Sequence, residues 1–362
     1  MKRNDRRMKM RPKLLKRLSL DRLMDLKVDY AFKQLFGSEK NKEITVVFLN
    51  AVLQRNEHHR IKEISFANVE KSADYEEDKE SRLDIVAVTD ANEWINIEIQ
   101  FTNKYDMVKR SLYYWSGLYQ KQLTRRMSYT RLQPVIAINI MNFDLFKEMG
   151  RFHTSYRLYE DHDKTLLTDV MEFHFLEMPK LLRDWKENKL DPWNDTLARW
   201  LLLLGIVDHR KNKVYEDIYK ELEEIAMEDE NLRNAFQDWE TLSASQEEWL
   251  AYEGRLKRVL DDESARIDME NLEKEARKAR QEGEKARQEG EKEGRQEGRQ
   301  LGRQEEVVES TIMFLKVKFP EYSMDAVSEK MKAIENLESL KKLQQELAQA
   351  KTWTEVEELL EM

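Results

Sequence analysis

The sequence has no cysteine, which excludes disulfides and thiolate metal sites and fits a reducing cytoplasm. It also lacks any apolar run near the roughly 18 residues of a membrane span. The longest candidate, Trp200–Val207, is long enough for one buried helix face. No glycine-rich phosphate loop and no HExxH pair occurs. The six histidines are scattered. His58 and His59 close a polar helix without ligand spacing. His162, within Glu160–Asp163, is the one flanked by carboxylates, and it reads as a solvated loop histidine. What remains is a charged chain, 37% Asp, Glu, Lys and Arg against 40% hydrophobic residues, with a net charge of −9. That balance describes a helix-rich protein with one main core and two or three structural units.

The segment Arg82–Phe101, RLDIVAVTDANEWINIEIQF, is the most informative in the chain. Leu83, Ile85, Val86, Ala87 and Val88 form one nearly continuous apolar run, and Ile95, Ile97 and Ile99 pattern a second. Such runs predict strands buried on both faces. With period two, Glu98 and Gln100 share a face opposite Ile97 and Ile99. A turn centred near Ala91 places Asp84 across from Glu98, where opposed Cβ atoms lie roughly 4.5–5.5 Å apart. Two carboxylates that close repel, and burying them is costly unless something positive sits between them. A divalent cation such as magnesium meets that need, because it prefers oxygen ligands. The bland alternative is a pair of acidic residues on a solvent-facing edge, and the apolar setting argues against it.

These residues are part of a longer pattern. DYAFKQLFG at Asp29–Gly37 precedes RLDIVA at Arg82–Ala87 and INIEIQF at Ile95–Phe101; MVKRSLYYWSGLYQKQL at Met107–Leu123 and PVIAINIMNF at Pro134–Phe143 follow. In order and spacing the sequence resembles the recombination-promoting nuclease/transposase family (Rpn-type) of the PD-(D/E)XK nuclease superfamily. The resemblance covers roughly residues 25–200, and the polar tail matches by composition only. It implies an α/β fold, a mixed-sheet restriction-endonuclease-like core, with an all-helical C-terminal extension.

It further implies that Asp84 and Glu98 are metal ligands for Mg2+ or Mn2+, with the Ile99 carbonyl as a further oxygen, and that DNA is the partner. The residue two after the Glu is usually a lysine that positions or activates water. Here it is Gln100, a variant known in this family, and a neutral amide cannot accept a proton at neutral pH. Lys33, on the helix beside Asp29, is the candidate substitute, with an ordinary surface lysine as the alternative. Asp29, Arg110 and Tyr114 are weaker candidates for DNA contact; Arg110 and Tyr114 stand one turn apart and are equally readable as structural.

The organisation reads in five parts. Residues 1–24 carry ten Lys/Arg against Asp5 and Asp21 and read as a basic, disordered arm, or else as a phosphate grip. Residues 25–182 form the nuclease-like domain: a helix over Val28–Phe36, a second over Asn41–Gln54, a strand over Ile61–Val69, the polar run Glu70–Ser81, the strand pair, a helix over Met107–Leu123, and strands over Pro134–Phe143 and Met171–Met178. Residues 183–262 form a helical extension in which Trp185, Trp193 and Trp200 pack back on the core. Residues 263–306 hold the charged repeat RQEGEKA/RQEGEKE, whose stripe of Ala276, Ala279, Gly283, Ala286, Gly290, Gly294, Gly298 and Gly302 is either a dimer seam or a flexible linker. Residues 307–362 form a small helical module.

The resulting expectation is a magnesium-dependent DNA endonuclease tied to recombination or mobile DNA. It is cytoplasmic, makes no membrane contact, and has the C-terminal helices available for a homo-oligomer. The rival is a catalytically weak nuclease-fold DNA-binding or scaffold protein with a helical partner-binding tail, favoured by Gln100 and the acidic net charge.

Overall fold

The computed structural model describes residues 14–67, 84–102 and 106–361. The expected polar run Glu70–Ser81, the strand start at Arg82–Leu83 and the basic residues before Leu14 lie outside these. Helix α1 (Asp29–Phe36) is followed by α2 (Lys42–Leu53). Strands β1 (Ile64–Phe66), β2 (Ile85–Thr89) and β3 (Trp94–Gln100) come next, then α3 (Met107–Lys121). Strands β4 (Val135–Met141), β5 (His153–Arg157) and β6 (Met171–Glu177) complete the sheet. Its order is β1-β2-β3-β4-β6-β5. β3, β4 and β6 run parallel, and the pairs β1–β2, β2–β3 and β5–β6 are antiparallel, so the sheet is mixed.

The alternation of side chains divides the sheet cleanly. Ile85, Ala87, Ile95, Ile97, Ile99, Ile136, Ile138 and Ile140 turn to one face and join α1 and α2 in the main core. Val86, Val135, Ala137, Met141, Phe173 and Phe175 turn to the other face, beneath Met107, Trp115 and Leu118 of α3. Each strand is therefore apolar on both faces, as a sheet between helical layers requires. Trp115 Nε1 donates to the Val135 carbonyl at 2.8 Å and fixes α3 on the sheet.

Strand β5 was absent from the expectations. Its residues, HTSYR, bury only Thr154, so no apolar alternation marks it. β1 begins at Ile64 rather than at the expected Ile61, and Asn68 and Val69 of that expected strand lie outside the described residues.

Helices α4 (Met178–Lys186) and α5 (Thr196–Gly205), the short hairpin β7 (Val207–Asp208) and β8 (Lys213–Val214), then α6 (Glu216–Ile225) and α7 (Glu230–Ala244) follow. Asp195 and Asp229 cap α5 and α7 by accepting from the Ala198 and Leu232 N–H groups. Trp200 is fully buried and meets Phe36 edge-on at 6.1 Å. The core thus continues unbroken across residues 182 and 183. Trp193, expected inside, is 43% exposed.

Residues 14–24 correct the expectation of a disordered arm extending to residue 24. Leu14, Leu15, Leu23 and Met24 are buried in the main core, while Lys16, Arg17 and Arg22 stay exposed. Glu240 accepts from the Arg17 and Leu18 N–H groups at 2.6 and 3.0 Å, and Trp239 Nε1 donates to the Met24 carbonyl at 2.9 Å. The charges that suggested solvent alternate with leucines that need a core.

Helix α8 (Gln246–Lys318) begins in the first of two compact units, residues 1–268, and Tyr252 is fully buried there. In the second unit, residues 269–362, the end of α8 packs with α9 (Asp325–Lys332), α10 (Leu337–Gln349) and α11 (Trp353–Glu361). Leu315, Val327, Met331, Leu340, Leu347 and Val356 form that core, and Tyr322 stacks on Trp353 at 4.5 Å. The repeat's glycines, from Gly283 to Gly302, lie in the helix with open space where a Cβ would stand. No described helix is long and apolar enough to cross a membrane.

Leu23→Ala should cost about 2–5 kcal/mol, the usual range for a fully buried leucine. Urea unfolding followed by Trp fluorescence reads the loss. A midpoint equal to wild type would restore the free-arm description of residues 14–24.

Candidate active site

The site grows from the polar stripe on β3. Asn96, Glu98 and Gln100 alternate with the core isoleucines and turn toward α3. Asp84 stands at the head of β2. The observed register pairs Ile85 with Ile97 and Ala87 with Ile95, which centres the hairpin on residue 91 and sets Asp84 opposite Glu98. Asn92 takes a left-handed conformation (φ 62°) in the turn, a position asparagine tolerates. The Asp84 N–H donates to Glu98 Oε1 at 3.2 Å, and the Ile99 N–H donates to Asp84 Oδ2 at 2.9 Å. Neither carboxylate sees much water: Glu98 is fully buried, and the Asp84 side chain is 6% exposed.

Two cations reach the pair from opposite layers. Lys33 Nζ, on α1, lies 3.2 Å from Asp84 Oδ1. Gly37 makes that approach possible, since a Cβ there would sit 2.8 Å from the Lys33 carbonyl and 3.2 Å from the Ile85 side chain. From α3, Arg110 lies 3.4 Å from Glu98 Oε2 and donates to Gln100 Oε1 at 2.9 Å. Its guanidinium covers the Tyr114 ring at 5.1 Å. Asp106 caps the start of α3 by accepting from the Lys109 N–H, which holds Arg110 within reach of β3.

These cations do not fully compensate the buried charge. Burial pushes Asp84 above the usual carboxylate range; Lys33 opposes the rise and nearby Asp29 adds to it. Burial likewise pushes Glu98 up, to about 8, reinforced by Asp84 and opposed by Arg110. The pair therefore has unused affinity for positive charge.

The donor set fits a hard divalent cation. The Gln100 carbonyl accepts from the Asn142 N–H on the β4 side at 2.9 Å. Because successive strand residues alternate, the Ile99 N–H and carbonyl both face the Asp84 side. Two carboxylates and a carbonyl leave coordination positions for water and phosphate, the arrangement Mg2+ prefers. Among the described residues no third His, Cys, Asp or Glu joins them. Asn96 Oδ1, Asn139 Oδ1 and Ser111 Oγ are buried and unpartnered on this face, and water or a ligand would complete them.

Of the residues singled out from sequence, Asp84, Glu98, Ile99, Gln100, Lys33 and Arg110 come together. Two of the weaker DNA-contact candidates do not fit that use. Tyr114 is buried beneath Arg110, so it has no open face for a phosphate. Asp29 is an anion held by Arg255 of α8, whose Nε lies 2.8 and 2.7 Å from its two oxygens. Asn96 and Asn139 were overlooked, although Asn96 shares the period of Glu98 and Gln100. Arg255 lies 226 residues from Asp29, and no local pattern marks it.

The histidines also differ from expectation. His162 is exposed as anticipated, but His174 is buried, bonded to Glu172 Oε1 at 2.8 Å and to His153 at 2.9 Å.

Comparison with known proteins bears on this geometry. The profile of a family described as PD-(D/E)XK nuclease family transposase matches residues 26–270, well over half of the chain. The chain belongs to this family. Neither a curated protein nor a solved structure matches it. Membership of the PD-(D/E)XK family agrees with the mixed sheet flanked by helices, a nuclease-type fold, and implies a DNA substrate. The matched span runs from the α1 segment through the first turns of α8, so it includes both Lys33 and Arg255.

The raised carboxyl groups set a pH dependence. Each binds its proton more tightly in the folded chain than in the unfolded one, where a Glu titrates at about 4.3. Their stabilising contribution is complete below that value and is lost as pH rises through the folded values, up to about 8 for Glu98. In metal-free buffer, wild type should therefore lose melting temperature relative to Glu98→Gln between about pH 5 and 8, and saturating Mg2+ should remove the loss. Parallel melting curves for the two proteins across this window would contradict the assignment.

Proposed function

We propose that this chain is a magnesium-dependent DNA endonuclease that hydrolyses phosphodiester bonds, associated with recombination or mobile DNA. One observation carries the reading: two opposed, buried carboxylates, Asp84 and Glu98, in the sheet of a PD-(D/E)XK-family chain. Asp84, Glu98 and the Ile99 carbonyl would hold the cation. When bound, Mg2+ or Mn2+ would lower the pKa of a water and stabilise charge on the scissile phosphate.

The remaining roles belong to the side chains. Arg110 has donors and no acceptor, so its partner on Gln100 must be Oε1. The Gln100 Nε2 is thereby left to donate. Gln100 orients a water or a phosphate oxygen and does not take the proton, which leaves to solvent or to a substrate phosphate. Lys33 uses one of its three donors on Asp84 and can direct another at a phosphate oxygen, the place where the family's usual lysine would act. We assign the protein to the cytoplasm and the C-terminal helices to self-association or a partner.

A second reading has its own support. The lysine two residues after the Glu is replaced by Gln100, and Arg110 already pairs with Glu98. Both features suit a weak or inactive nuclease fold that binds DNA and recruits partners through its tail.

Plasmid nicking in Mg2+ separates the two. Asp84→Ala and Glu98→Ala should each reduce the rate at least about a hundredfold, since loss of residues that merely support a metal site costs 10–100-fold. Lys33→Ala should slow wild type more than it slows Gln100→Lys, because the new lysine covers the same role. Wild-type nicking no faster than Asp84→Ala would decide for the inactive reading.

A further inference from the structure

The segment Met107–Phe143 has no Asp or Glu, in a chain with 71 acidic residues among 362. It carries Lys109, Arg110, Lys121, Arg125, Arg126 and Arg131. Arg110 is engaged at the site and Lys109 pairs with Asp106 at 3.0 Å. Lys121, Arg125, Arg126 and Arg131 are exposed, and none forms an ion pair with an acidic side chain among the described residues. Four uncompensated cations in succession are anomalous on a protein of net charge −9.

The fold presents these charges in a fixed way. α3 lies over the outer face of the sheet, held by Trp115, which bonds to β4 and stacks on Tyr119 at 5.0 Å. Its other side faces solvent through Lys109, Tyr113, Ser116 and Gln120, spaced by three or four residues. The helix begins beside Glu98 and Gln100 and runs about 22 Å from them at 1.5 Å per residue. Beyond its end, the loop 122–134 exposes the three arginines around Tyr129, which is 77% exposed. Tyr113, 63% exposed, stands between this loop and the site.

We propose that the outer face of α3 and the loop 122–134 form a docking surface for the backbone of duplex DNA leading away from the active site. The proposal rests on the endonuclease reading for the identity of the partner, and on charge, exposure and continuity with the site for its place. Lysine and arginine neutralise phosphates and release counterions, while tyrosine hydroxyls bond to phosphate and sugar. Such contacts position a duplex without reading its sequence. The acidic net charge is no obstacle to such a surface, since these exposed cations stand together in a segment free of Asp and Glu.

The test is fluorescence anisotropy with a labelled 20-base-pair duplex in EDTA, across a salt series. The full chain is compared with Lys121→Ala/Arg125→Ala/Arg126→Ala/Arg131→Ala. A control removes four exposed charges from the second unit, Lys316→Ala/Lys330→Ala/Lys341→Ala/Lys342→Ala. The first variant should bind at least tenfold more weakly at 100 mM salt, and the log–log salt slope should fall by about one per charge removed. Arg125→Ala/Arg126→Ala should show about half that change, which guards against a misfolded quadruple variant. The control should match wild type.

Wild-type affinity and slope in the first variant would overturn the surface, even where wild type nicks plasmid. Absence of duplex binding by wild type would do the same. If the variant shows the expected loss but wild type fails to nick, the surface stands and the endonuclease reading falls. Tighter binding of anionic vesicles or single-stranded RNA than of duplex, through these same four residues, would replace DNA as the partner.

Discussion

Two carboxylates share one dry space, and much of the first unit is arranged around that constraint. Asp84 and Glu98 could not stay buried and opposed without local compensation. The hairpin supplies some of it through the Asp84 and Ile99 N–H groups. The two helical layers supply more, Lys33 from one side and Arg110 from the other. The close stop at Gly37, the cap at Asp106 and the anchor at Trp115 then read as conditions for bringing those cations into place. α8 extends the same logic outward, because Arg255 neutralises Asp29, the carboxylate whose charge adds to the load on Asp84.

Much of this was legible in the sequence where the pattern was local. The alternation of Asn96, Glu98 and Gln100 with three isoleucines gave the face, and the polar turn around Ala91 gave the register that opposes Asp84 and Glu98. The order of helices and strands followed from periodicity and from a family resemblance. What stayed hidden was non-local or weakly patterned. β5 buries one side chain, so it has no apolar rhythm to detect. Leu14–Met24 was masked by its charges, although its leucines alternate with them. The His153–His174 contact and the Arg255–Asp29 pair join residues far apart in sequence, and only the tertiary fold brings them together.

Charge is unevenly distributed along this chain. A chain with net charge −9 is a poor nucleic-acid partner on average, yet averages do not act on phosphates. Residues 107–143 are free of acid and begin beside the carboxylate pair. Gln100 sits where these two features meet, turned by Arg110 so that its amide donates, which suits an oxygen-rich substrate better than it suits base catalysis.

The central claim, that Asp84 and Glu98 form a divalent-metal site, is tested most directly by anomalous diffraction from crystals soaked in Mn2+. The account predicts one strong peak within direct coordination distance of oxygens of Asp84 and Glu98 and of the Ile99 carbonyl, absent in Glu98→Gln crystals. Saturating Mn2+ that leaves no anomalous peak between the two carboxylates, with Arg110 still bound to Glu98, would contradict it.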